Sequence, residues 1–228
     1  MFCRISSLVI TLFLAVLIIP FSYATNLSDF NDKFSSKVAN QLKNYSIPGA
    51  AYAIVKNDQV VALETFGFTN KAQSQKINNN TVFRLASVSK PFAATITTML
   101  AQDKQLNLSD PITKYIPQFS LAKDGAAEKI QLKHLLSHSS GLMPNAYDNL
   151  LHENWSMDKI ISRFDRVEPI CQPAKCYGYQ NIAFVFLQPA IEASQTKSYA
   201  ALLQERVFSP LNMNDSSVGI GVFMTQEN

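Results

Sequence analysis

The sequence has no concentrated basic patch, although its formal charge is +3. Nucleic-acid binding, which needs Lys and Arg gathered on one face, therefore has no support. There is no internal repeat and no low-complexity segment, so a stacked-repeat architecture is excluded. Histidine is scarce, with three residues. His134 and His138 stand four apart, but no His-Glu-x-x-His pattern accompanies them, and no metal site is expected. Cysteine is limited to Cys3, Cys171 and Cys176, and two neighbouring thiols alone do not complete a tetrahedral metal site. The longest apolar run, Leu8 to Ile19, is short for a bilayer span of about 20 residues.

That run has another use. Arg4 gives a short positive segment before it, and Ser22-Tyr23-Ala24 supplies small residues after it. This is the pattern of a secretory signal cleaved after Ala24, so residues 1–24 are expected to leave the mature chain. An uncleaved anchor is the alternative. Export implies a periplasmic or secreted protein with no stable membrane span after cleavage. It would carry Cys171 and Cys176 into an oxidising compartment, where a local disulfide is expected. Hydrophobic residues make up 47% and charged residues 16%, the proportions of a globular protein. With 228 residues, the chain can build one substantial core or two small subdomains.

The mature chain divides by pattern. Leu27, Phe30, Phe34, Val38 and Leu42 predict an amphipathic helix, ended by Ile47-Pro48-Gly49. Ala50 to Lys56 and Val60 to Phe68 read as two strands joined at Asn57-Asp58, an antiparallel hairpin. Residues 25–82 thus form a helix and a hairpin, and residues 83–228 read as mostly helical. Within the second part, helices are expected over 130–137, 156–167, 181–193 (interrupted by Pro189) and 199–208.

At the head of the second part lies Phe83-Arg84-Leu85-Ala86-Ser87-Val88-Ser89-Lys90-Pro91. Apolar Phe92, Ile96, Met99 and Leu100 follow at helical spacing. A helix beginning near Ser87 puts Ser87 and Lys90 on one face. A serine hydroxyl is a weak nucleophile until a neighbouring base takes its proton. Burial and a helix N-terminus both favour a neutral lysine that can do so. The spacing alone decides little, because Ser-x-x-Lys also starts at Ser120, Ser156 and Ser194. A plain helix N-cap is the other reading of Ser87.

The setting of Ser87 does more. Phe83-x-x-x-Ser87-Val88-Ser89-Lys90 after a hairpin closely resembles the active-site motif of serine beta-lactamases and penicillin-binding proteins. The wording is most similar to class C beta-lactamases and the D-alanyl-D-alanine carboxypeptidase and esterase group. His134-Leu135-Leu136-Ser137-His138 and Pro210-Leu211-Asn212-Met213 resemble the same family. The resemblance implies an α/β (α+β) fold, an antiparallel sheet flanked by helices plus a mostly helical domain. It also implies an acyl-enzyme on Ser87, no cofactor, and a small-molecule or peptide substrate: a beta-lactam, a D-Ala peptide or an ester.

The family carries a second element of the form Tyr-x-Asn. Tyr147-Asp148-Asn149 and Tyr179-Gln180-Asn181 both fit. The second is preferred, since it follows the Cys171–Cys176 loop and opens a helix, while Tyr147 reads as a loop aromatic. The resemblance makes Tyr179 the acid–base partner of Lys90 and makes Asn181 a substrate-binding residue. His138 reads as a structural hydrogen-bonding residue. The family's third element, Lys-Thr-Gly or His-Thr-Gly, is not found in the 228 residues. The expectation is a partial domain over 25–228 that lacks the later strands. An inactive homologue that binds peptidoglycan or a protein partner is the alternative.

Overall fold

The computed structural model describes residues 27–219. The expected signal segment, residues 1–24, and Cys3 lie outside the described residues. The chain forms two compact units, divided between Thr81 and Val82, one residue before the boundary drawn from sequence. Among the described residues no helix is long and apolar enough to cross a membrane.

The first unit is a helix and a hairpin. Helix α1, Leu27–Asn44, is the amphipathic segment that the spacing predicts. Strands β1, Gly49–Lys56, and β2, Gln59–Gly67, pair antiparallel from Gly49↔Gly67 to Lys56↔Gln59, with an irregularity at Ile54/Val55. Asn57 and Asp58 both take positive φ, 51° and 59°. A two-residue turn of that kind matches the right-handed twist of paired strands, and Asn and Asp tolerate it. Phe34 packs edge-on against Tyr52 at 4.9 Å, and the Tyr52 hydroxyl donates to Asn31 Oδ1 at 2.8 Å. The helix is thereby fixed to one face of the hairpin. Val55, Val60 and Leu63 are exposed.

The second unit holds the core. It begins with a 3₁₀ turn, Ala86–Ser89, which runs into α2, Lys90–Gln102. Then come α3 (Leu132–Leu136), α4 (Asp148–His152), α5 (Met157–Ser162), α6 (Asn181–Val185), α7 (Leu187–Ala193) and α8 (Tyr199–Leu203). These helices are shorter than the periodicity suggests. Pro189 explains one break: it has no N–H for the carbonyl of Val185, and the helix is interrupted at Phe186. After Ser162 the chain tightens into a 3₁₀ turn, Arg163–Arg166, and after Leu203 it widens into a π turn, Gln204–Phe208. Ile96 and Leu100 of α2, Leu132, Ile182 and Ile191 are fully or nearly fully buried together. Phe164 packs at 5.7 Å from Phe119 and 5.4 Å from Phe186, at tilted or edge angles that suit aromatic pairs. Tyr147, expected to be a loop aromatic, packs on Phe164 at 5.4 Å and donates to Arg163 O.

Candidate active site

Ser87 lies in the 3₁₀ turn and not in the α-helix itself; Lys90 is the first α-helical residue. A 3₁₀ turn has three residues per turn, so side chains at i and i+3 lie one above the other. The Lys90 ammonium accordingly donates to Ser87 Oγ at 3.4 Å. Ala86 enters the turn at φ +48°, a region that non-glycine residues avoid at a cost of about 1–3 kcal/mol. Ser87 is exposed and Lys90 is half-buried, less than the burial expected for a lysine base.

The partners of Ser87 arrive from far along the chain. Ser87 Oγ and the Tyr179 hydroxyl share a hydrogen bond of 2.8 Å. Lys90 Nζ donates to Asn181 Oδ1 at 2.8 Å and lies 4.7 Å from the centre of the Tyr179 ring. The hydrogen-bonding Lys90 ammonium, followed by the Ser87 hydroxyl, holds the Tyr179 phenol below its ordinary value. The four sequence candidates Ser87, Lys90, Tyr179 and Asn181 thus meet in one place. Of the other Ser-x-x-Lys serines, Ser156 stands at the N-cap of α5 without a side-chain capping bond, and Ser194 ends α7.

Local contacts hold the Tyr179 segment. The N–H of Gly178 donates to His138 O at 2.8 Å, and that of Gln180 donates to His138 Nδ1 at 3.3 Å. The His138 ring lies 4.4 Å from the Tyr179 ring. Burial, then the Lys90 charge, keeps His138 below its ordinary pKa, which suits a ring nitrogen that accepts a hydrogen bond. On the other side, Asn145 N donates to Tyr179 O at 2.9 Å, and the Gln180 amide donates to Met143 O. Cys171 and Cys176 are joined in a disulfide. Their loop is tied to the 139–141 segment by Ala174 N to Ser139 O and Ile170 N to Gly141 O, both 2.8 Å. Gly141, at φ +83°, is needed there: a Cβ would lie 2.3 Å from Cys171 O.

Asp148 is the residue that sequence reading missed. Its Oδ2 accepts from Asn181 Nδ2 at 2.7 Å. It lies in the Tyr147-Asp148-Asn149 triplet, set aside in favour of the second Tyr-x-Asn. A contact across 33 residues leaves no local spacing to find. Among the described residues no group of three or more His, Cys, Asp or Glu is placed to hold a metal. His134 Nδ1 instead accepts from Gln131 N at the start of α3.

A beta-lactamase family model matches residues 34–222. The chain belongs to the beta-lactamase family. It is a family of serine hydrolases, and the chain shares its beta-lactamase and transpeptidase-like fold. The chain is 26% identical over 192 residues to protein flp of Staphylococcus aureus, covering 83% of this chain and 38% of that protein. It is 29% identical over 162 residues to penicillin-binding protein 4* of Bacillus subtilis, covering 68% and 34%. Among solved structures, the octameric penicillin-binding protein homologue from Pyrococcus abyssi superposes with a TM-score of 0.75 at 23% identity, covering 86% of this chain and 46% of that one. The D-alanine carboxypeptidase AmpC from Burkholderia cenocepacia gives 0.68 at 23% identity, covering 86% and 52%. The chain therefore spans under two fifths of these curated relatives and about half of these structures.

Proposed function

We propose that the protein is an exported serine hydrolase, periplasmic or secreted, that forms an acyl-enzyme on Ser87. The observation that carries this reading is the 2.8 Å bond between Ser87 Oγ and the Tyr179 hydroxyl, with Lys90 against both. A phenol held below its ordinary value by a neighbouring ammonium is a base suited to a serine. Tyr179, ionised, takes the Ser87 proton as Oγ attacks a carbonyl carbon. The tetrahedral intermediate collapses, the bond to the leaving nitrogen or oxygen breaks, and the leaving group receives that proton. Water then attacks the acyl carbonyl carbon as Tyr179 takes its proton; the bond to Ser87 Oγ breaks, Oγ receives that proton, and the carboxylic acid leaves with Ser87 and Tyr179 restored. Asn181 holds Lys90 and offers its amide edge to the substrate. A beta-lactam, a D-Ala-terminated peptide and a simple ester all present the required carbonyl.

The test is labelling of the exported protein with a fluorescent penicillin, followed by mass mapping of the adduct. One adduct, on Ser87 and lost in Ser87→Ala, is the expected result. No adduct, or an adduct that persists at Ser120, Ser156 or Ser194, would falsify the reading. A second reading is a homologue that binds peptidoglycan or a protein partner without turnover. It predicts no adduct on Ser87.

A further inference from the structure

We propose that Asp148 is a positioning residue whose carboxylate locks the Asn181 side-chain amide with its carbonyl oxygen toward Lys90. The two ends of an asparagine amide are nearly the same shape, so packing alone does not choose between them. Chemistry chooses. On one side stands the Lys90 ammonium, which only donates, 2.8 Å from Asn181 Oδ1. On the other stands the Asp148 carboxylate, which only accepts when ionised, 2.7 Å from Asn181 Nδ2. Only one orientation satisfies both neighbours. Reversed, the amide would set NH₂ against NH₃⁺ and oxygen against carboxylate, and both charge-assisted bonds would be lost.

The placement of Asp148 supports this role. It opens the short helix α4, and its N–H donates to Asn145 O at 3.2 Å. Asn145 N in turn donates to Tyr179 O, so the carboxylate is referenced to the same strand of chain that carries Tyr179 and Asn181. The preceding Tyr147 is pinned through its hydroxyl to Arg163 O at 3.0 Å. Asp148 Oδ1 is shielded from solvent and makes no hydrogen bond among the described residues. A carboxylate with one shielded, unbonded oxygen is a poor stabilising element, so its place is explained by what Oδ2 does. Lys90 is then held by two oxygens, Ser87 Oγ and Asn181 Oδ1, and the second depends on Asp148.

The kinetic part of this inference rests on the acyl-transfer reading; the geometric part does not. The test uses the exported protein with a fluorescent penicillin as probe. Asp148→Leu, similar in size and without an acceptor, should slow acylation of Ser87 by about 10- to 100-fold, the size of the loss when the partners that orient metal ligands are removed. Asp148→Asn keeps an acceptor oxygen for Asn181 Nδ2 and should restore most of the rate. In an Asn181→Ala background, Asp148→Leu should cost nothing further, because its effect passes through that amide. A residue that merely supported the fold would cost the same in both backgrounds, and that result would overturn the proposal. Crystal structures give a readout free of activity: the Lys90–Asn181 contact should be lost in Asp148→Leu and kept in Asp148→Asn. Survival of the contact in Asp148→Leu overturns the proposal whether or not Ser87 is acylated. A broken contact in a chain whose parent takes no label upholds the positioning and refutes the acyl-transfer reading. If Asp148→Leu does not fold, Asp148→Asn decides, and loss of the contact in that variant overturns the proposal.

Discussion

Tyr179→Phe removes one oxygen and leaves the ring, so it isolates the proton path to Ser87. The ring packed at a tilt on His138 and facing Lys90 is retained, and thermal stability should barely change. The hydroxyl lost is the one bonded to Ser87 Oγ at 2.8 Å. A positioned acid–base group contributes about 10²- to 10⁴-fold, which is roughly 2.7–5.4 kcal/mol of barrier. Acylation by a fluorescent penicillin, followed by stopped flow, should slow by that factor. Lys90→Met should fall in the same range, because it removes the ammonium that favours ionisation of Tyr179. If the two residues form one unit, the double variant should be little slower than the slower single one. Two independent losses of about 10³-fold would instead multiply to about 10⁶-fold. The pH profile adds a sign. The Tyr179 phenol is held below its ordinary value, first by Lys90, and its phenolate fraction grows as pH rises through the lowered value. Acylation should therefore rise with pH on its acid side, and Lys90→Met should move that rise to higher pH. Multiplying losses, or an acid limb that stays in place without Lys90, would refute the reasoning.

Two further outcomes are expected. Non-reducing mass spectrometry should find Cys171 and Cys176 two hydrogen atoms lighter than the dithiol; opening them should cost less than the ~3 kcal/mol of a 15-residue loop and slow acylation through the Tyr179 segment, and two freely alkylatable thiols would exclude the bond. Gly141→Ala places a Cβ 2.3 Å from Cys171 O at φ +83°, so it should destabilise by about 1–2 kcal/mol for the backbone alone and more for the displaced loop; a thermal midpoint equal to that of the parent would contradict the close approach.

The sequence by itself determined the elements whose causes are local. The α1 stripe, the Asn57-Asp58 turn and the Ser87–Lys90 spacing each follow from residues within a few positions of one another, and each was legible. Tyr179 and Asn181 could be named only by resemblance, since nothing within the segment Tyr177–Asn181 says that it lies against Ser87. The tertiary structure decided three things. It put Ser87 in a 3₁₀ turn one step before the helix, with the strain at Ala86. It broke the expected long helices at Pro189 and at turns, because a hydrophobic period persists through interruptions that backbone hydrogen bonds do not survive. And it brought Asp148 to Asn181 across 33 residues and Tyr179 to Ser87 across 92. Such pairs are fixed by how buried faces such as Ile96, Ile182 and Phe186 pack together, and packing is a property of the whole core that no local pattern encodes.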